Sequence, residues 1–151
     1  MTSKEIPHVT IYTDGACKGN PGKGSWAAVL IFEKGGLKLE KEISGVHRHT
    51  TNNQMELTGV IEALKTLKQI CHVTLYSDSA YIVNAFHQRW VENWQRNGWK
   101  TKGKEPVKNR ELWEELIELC KHHKVTFAKV KGHAGIHYNE RVDLLANLAL
   151  E

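Results

Sequence analysis

The sequence predicts an α/β fold: a five-stranded mixed sheet, in which an antiparallel three-stranded meander is extended by parallel strands, with helices on both faces. Three observations carry this. Strand-like segments come first, and two of them flank a Gly-Gly turn. Beyond residue 50 the apolar period lengthens from two to helical spacing, and helices then alternate with strands. Two strands far apart in the chain are echoes of each other, "HVTIYTDGA" at 8–16 and "HVTLYSDSA" at 72–80.

Taken in order, residues 9–13 alternate as a first strand, and residues 26–33 are apolar enough for a second. Gly35 and Gly36 suit a hairpin turn into a third strand over 37–44. Thr51 and Gln54 have the spacing of a capping box, and behind them Leu57, Val60, Ile61, Leu64 and Leu67 follow a helical period. Residues 73–77 make a fourth strand, and a helical stretch follows Asp78. After a basic, tryptophan-rich segment, Asn109 is placed to cap a helix with Leu112, Leu116 and Leu119 on one face. Residues 125–130 give a fifth strand, and "KGHAG" reads as a glycine-flanked loop. A last helix from about Asn139 sets Val142, Leu145, Ala146 and Ala149 on one side. No linker or low-complexity segment interrupts the chain, so residues 1–151 are expected to form one domain.

Composition narrows the function classes. The chain has 151 residues, 40% hydrophobic and 25% charged, enough for one domain with a proper core. No apolar run approaches the roughly 20 residues that span a bilayer, and the N-terminus lacks a signal-type apolar stretch. No membrane association is therefore expected. Cys17, Cys71 and Cys120 are odd in number and widely spaced, which argues against a disulfide framework or a zinc site and for free thiols in the cytoplasm. The net charge of +4 is mild, but its distribution is not: Arg89, Arg96, Lys100, Lys102, Lys104, Lys108 and Arg110 face only Glu92 and Glu105 across that stretch.

The stretch "YTDGACKGNPGKGS" at 12–25 has the glycines and lysines of a phosphate-binding loop. Its spacing fails the P-loop pattern, because Lys23 is followed by glycine, and a strand rather than a helix comes next. The aspartate at its head is the informative residue. If the two echoed strands are parallel neighbours, Asp14 and Asp78 meet at the C-terminal edge of the sheet, about 4.8 Å apart. Carboxylates that close repel unless a proton or cation lies between them, and hard oxygen ligands favour Mg²⁺ or Mn²⁺. Glu56 and Asp143, each read as lying in the first turn of a helix, face the same edge in such an architecture. Taken singly, these acids also suit turn formation or stabilisation of a helix N-terminus.

With these residues in view, "TDGACKGNPGKGS", "TTNNQMEL", "YSDSAY", "WKTKGKEPVKN" and "KVKGHAGIHYNERVD" resemble, in order and over nearly the whole chain, the type 1 ribonuclease H family. The resemblance implies a ribonuclease H-like fold and an endonuclease that hydrolyses the RNA strand of an RNA–DNA hybrid with two divalent ions, leaving 5′-phosphate and 3′-hydroxyl ends. Mg²⁺ is the implied cofactor, with Mn²⁺ able to substitute. The metal ligands would be Asp14, Glu56, Asp78 and Asp143, with Asp14 bridging both ions, and His133 would shuttle a proton or aid product release.

The resemblance also places the two strands of the hybrid. Asn20, Asn52, Asn53 and the backbone from Gly15 to Cys17 would face the RNA 2′-hydroxyls; Asn52 and Asn53 suit helix capping as well. Thr51, Asn109 and His49, with Lys108 beside them, would form a pocket for one DNA phosphate. His49 stands where many relatives have arginine, and Ala80 is smaller than its usual counterpart. Trp90 and Trp94, one helical turn apart, would meet the DNA on a basic handle, whereas Trp99 and Trp113 are assigned to packing. A separate hybrid-binding domain and a C-terminal tail, both known among relatives, are not expected, and the monomer would need no obligate protein partner. The alternative is a noncatalytic hybrid-binding module on the same fold, against which the intact set of four acids argues.

Overall fold

The computed structural model describes residues 6–130 and 132–151, with residues 132–135 described by their backbone alone. Five strands, β1 (His8–Lys18), β2 (Gly22–Lys34), β3 (Leu37–Thr50), β4 (His72–Tyr76) and β5 (Lys124–Ala128), form one sheet in the order β3-β2-β1-β4-β5. β1, β2 and β3 are antiparallel neighbours, and β4 and β5 add in parallel. The helices are α1 (Asn52–Thr66), α2 (Ala80–His87), α3 (Trp90–Asn97), α4 (Arg110–His122) and α5 (Gly132–Leu150). The expected mixed sheet is thus present, and no helix among the described residues is long and apolar enough to cross a membrane.

Strand alternation divides the core between the two faces of the sheet. Val9, Ile11, Ala28, Leu30, Val73 and Leu75 point to one side, where α1 covers them with Leu57, Val60, Ile61 and Leu64, and Trp113 and Leu116 of α4 close the layer. Tyr12, Ala27, Val29 and Ile31 point to the other, onto Val142 and Ala146 of α5. On that second face Tyr12, Tyr76 and Tyr138 stack with centroids 4.9 and 5.1 Å apart. Arg141 bridges Glu40 and Glu42, and the Tyr138 hydroxyl donates to Glu40, so α5 is fastened to edge strand β3. The hairpin turn takes positive φ at both Gly35 and Gly36, which glycine adopts without a Cβ clash.

The expected element boundaries need correction at several points. β1 continues to Lys18, because it stays paired with β2 after β4 has ended, so Asp14 lies within a strand rather than at its end. The meander strands β2 and β3 likewise run longer than the apolar pattern suggested. The segment read as the "KGHAG" loop is, from Gly132, the start of α5, seven residues before the expected Asn139. Asp143 is therefore about three turns into α5, not in its first turn. Glu56, fifth in α1, is past the first turn of its helix too. Asn109 does precede α4, but with a left-handed backbone (φ 62°) and no side-chain cap, its amide being engaged elsewhere.

Candidate active site

The site is built where two parallel strands stop pairing. β1 and β4 align in register, His8 with His72 through Tyr12 with Tyr76, so the echo in the sequence is an echo in space. Asp14 and Asp78 each lie two residues beyond the last parallel pair, Asp14 still paired with Ala27 of β2 and Asp78 past the end of β4. α1 delivers Glu56 to the same point. Its start is fixed by the capping box: the Thr51 hydroxyl accepts from Gln54 N–H, and the Gln54 side chain accepts from Thr51 N–H. Close approach of α1 to β1 depends on Gly15, where a Cβ would fall 2.7 Å from the backbone nitrogen of Glu56. The Gly15 N–H then donates to both Asp14 Oδ1 and Glu56 Oε1, at 2.9 Å each.

One oxygen each from Asp14, Glu56 and Asp78 fall within 4.8 Å of one another. Asp14 and Glu56 are buried and Asp78 is exposed, so the cluster has a closed floor and an open mouth. Asp143, from α5, is near enough to Asp14 to help raise its carboxyl. Burial pushes the Asp14 carboxyl up to about 9, helped by the charge of Glu56, the contact with Asp143 and the charge of Asp78. Burial likewise raises Glu56, to about 7, against the lowering effect of its hydrogen bonds with Asp14 and Gly15. The Oε2 of Glu56 is buried with no hydrogen-bond partner among the described residues. Hard oxygen donors that repel one another, one of them unsatisfied, suit a divalent cation.

A second locus lies beside the first. Asn20, Thr51, Asn53, Gln54, Lys108 and Asn109 line a cavity of about 510 Å³. Five of these are among the residues expected to contact nucleic acid. Asn52 is adjacent and exposed, and its backbone N–H donates to Asn20 Oδ1 at 2.9 Å, which ties the β1–β2 turn to the start of α1. His49 is exposed and is not among the residues lining the cavity, so the expected trio is brought together only as Thr51 and Asn109.

The tryptophans are more interlocked than their spacing suggested. Trp99 and Trp113 are buried, as expected of packing residues. Trp90 and Trp94 share a face, but Trp94 also stacks on Trp99 and meets Trp113 edge-on, with centroids 5.9 and 5.4 Å away. Both are half-buried. His133 belongs to α5, and its side chain lies outside the described residues.

Sequence reasoning missed two residues of this region as site components, and one role of a third. The Gly15 backbone was expected on the RNA side, but not as the donor that holds Asp14 and Glu56. Gln54 was legible as a capping residue but not as part of a cavity. Tyr81, whose hydroxyl accepts from Asn109 and Trp113, gave no signal beyond a polar aromatic after "SDSA".

Comparison with known proteins agrees with this geometry. The RNase H family model matches residues 7–151. The chain is 59% identical to ribonuclease H of Acetivibrio thermocellus over 138 residues, 91% of each chain. Its fold superposes on LC9-RNase H1, a type 1 RNase H with the type 2 active-site motif, with TM-score 0.84 and 31% identity, covering 99% of this chain and 74% of that one. It also matches LC11-RNase H1, solved in complex with an RNA/DNA hybrid, with TM-score 0.68 and 26% identity over 94% and 96% of the two chains. A carboxylate cluster at the end of paired parallel strands, a sheet of this order and identity at this level over nearly the full length lead to one assignment: the chain belongs to the type 1 ribonuclease H family, enzymes that cleave the RNA of RNA–DNA hybrids.

Proposed function

We propose that residues 1–151 act as one catalytic domain, an endonuclease that hydrolyses the RNA strand of a hybrid to 5′-phosphate and 3′-hydroxyl ends, with Asp14, Glu56, Asp78 and Asp143 as its cation ligands. The observation that carries this is the convergence of Asp14, Glu56 and Asp78 within 4.8 Å, with Asp14 and Glu56 buried. Two Mg²⁺ ions, replaceable by Mn²⁺, would supply activation of the attacking water and stabilisation of the departing 3′ oxygen. Asp14 would be the shared ligand, since Glu56, Asp78 and Asp143 all act on its carboxyl. Gly15 N–H holds Asp14 and Glu56 in fixed rotamers, and exposed Asp78 leaves the scissile phosphate an approach. His133 moves a proton at the start of α5.

The Asn20–Asn52 link and Asn53 are suited to the RNA strand, whose 2′-hydroxyl both donates and accepts. The cavity lined by Thr51, Lys108 and Asn109 takes one phosphate of the DNA strand, and the half-buried Trp90 and Trp94 support DNA on the basic handle. All of these groups come from one chain, which supports a working monomer. Three free cysteines suit a reducing, cytoplasmic setting. Mere binding of a hybrid calls for no cluster of acids, which by itself repels phosphate. The test is Asp14→Asn: hybrid cleavage is abolished and hybrid binding is kept, whereas a variant that cuts normally would overturn the ligand assignment.

A further inference from the structure

Three elements meet behind the cavity, and their polar atoms leave one consistent set of orientations. The backbone N–H of Thr51 can only donate, so the atom of Gln54 that it meets at 3.1 Å is Oε1, which also accepts from the buried Thr50 hydroxyl at 2.9 Å. The Nε2 of Gln54 therefore points the other way, toward Asn109 at 3.2 Å, and because Nε2 only donates, the atom it meets is Asn109 Oδ1. That turns Asn109 Nδ2 onto the hydroxyl oxygen of Tyr81 at 3.2 Å. The same oxygen accepts from the indole N–H of fully buried Trp113 at 2.9 Å, an anchor that cannot reverse. The direction of the chain is set at the Thr51 end, through Gln54, while the Tyr81 hydroxyl, held in place by Trp113, accepts the Asn109 Nδ2 that this direction turns toward it. Asn109 Nδ2 carries two hydrogens and spends one on Tyr81, so the other is a donor available to whatever enters the cavity that Asn109 lines.

We infer that Gln54 and Tyr81 are positioning residues for DNA-strand recognition: they lock the Asn109 amide with its nitrogen as the available donor, and so set the cavity for a phosphate. The inference rests on the reading above that this cavity takes a DNA phosphate. A freely turning Asn109 would present its carbonyl oxygen part of the time, which repels an anion. Gln54 does this while serving as the N3 residue of the α1 capping box, two residues before Glu56, so one amide fixes both the pocket and the start of the helix that carries an active-site acid.

The test uses Gln54→Glu, Tyr81→Phe and Asn109→Ala in steady-state cleavage of a defined RNA–DNA hybrid, with melting temperature and the salt dependence of hybrid binding measured alongside. Glutamate keeps the capping box, in which it is a preferred residue, but has no N–H to meet Asn109 Oδ1. Gln54→Glu is expected to raise KM about tenfold with kcat changed less than about threefold and the melting temperature held. Tyr81→Phe is expected to raise KM in the same sense, by about threefold or more, with kcat again spared. Asn109→Ala is expected to raise KM by at least as much as either and to lower the log–log salt slope of binding by about one. If Asn109→Ala leaves KM and the salt slope unchanged, the phosphate reading of the cavity fails. If Asn109→Ala raises KM while Tyr81→Phe leaves it at the wild-type value, the cavity reading stands and the positioning role is overturned, a rise for Gln54→Glu alone being the repulsion of phosphate by a new carboxylate in the lining. A rise in KM for Gln54→Glu that merely tracks a fall in melting temperature also overturns it, because capping alone would then explain the effect.

Discussion

Replacing Asp14 with asparagine is expected to make the cation-free protein more stable while removing its activity. Asp14 is raised from its ordinary 3.8 to about 9 by burial and by the neighbouring acids. A carboxyl whose folded value lies above its unfolded value keeps its proton in the folded chain after the unfolded chain has released it. Stability from this group is therefore full below pH 4 and falls as pH rises toward 9. At pH 7 that is roughly three pH units of retained proton, a cost of up to about 4 kcal/mol. Water reaching the site past exposed Asp78 reduces the cost, and about 2 kcal/mol is a fair expectation. Asparagine keeps an oxygen for the Gly15 N–H and does not ionise. For a chain of this length about 2 kcal/mol corresponds to a melting temperature about 4–8 °C higher. The assay is thermal unfolding of both proteins in EDTA from pH 4 to pH 8. The gain should be largest at pH 8 and shrink steadily toward pH 4, where the unfolded Asp14 carboxyl also begins to hold its proton. A variant no more stable than wild type at pH 8, or a gain independent of pH, would refute the reasoning.

Other perturbations follow from the same geometry. Gly15→Ala places a methyl 2.7 Å from the Glu56 nitrogen, so α1 must shift; cleavage should fall by about a hundredfold and stability by about 2 kcal/mol, read by kinetics and urea unfolding. Arg141→Met unfastens α5 from Glu40 and Glu42 and should cost about 1 kcal/mol, with the loss shrinking as salt is added to the unfolding buffer. Trp113→Ala removes a fully buried indole and the anchor of Tyr81, and should cost about 3–5 kcal/mol in urea unfolding.

Much of the site was legible because it follows from repetition and polarity. The paired "HVT" strands announced their own register, and two aspartates at matching positions, two residues past the last parallel pair, had to converge. The capping box at Thr51 and Gln54 located the start of α1 to the residue. The misreadings share a cause, which is that tertiary contacts override local signals. Glycines at 132 and 135 read as a loop, yet α5 extends through Gly132, in a helix fastened to β3 by Tyr138 and Arg141. Asn109 looked like a helix cap, but its amide is shared between Gln54 and Tyr81, partners 55 and 28 residues away in sequence. No local pattern encodes a meeting of that kind. Likewise, His49 stood in line with the phosphate pocket by resemblance, and the structure leaves it exposed outside the lining.

The central claim is that the acids gathered by β1, β4, α1 and α5 make a cation-dependent cleaver of RNA within hybrids. Its most direct test is one cleavage assay in which purified protein meets an RNA–DNA hybrid, double-stranded RNA and double-stranded DNA, each with Mg²⁺ and each with EDTA. The account predicts cutting of the RNA strand of the hybrid with Mg²⁺, to 5′-phosphate ends, and no cutting in the other five reactions. Hybrid RNA left intact with Mg²⁺, or cut equally well in EDTA, would contradict it.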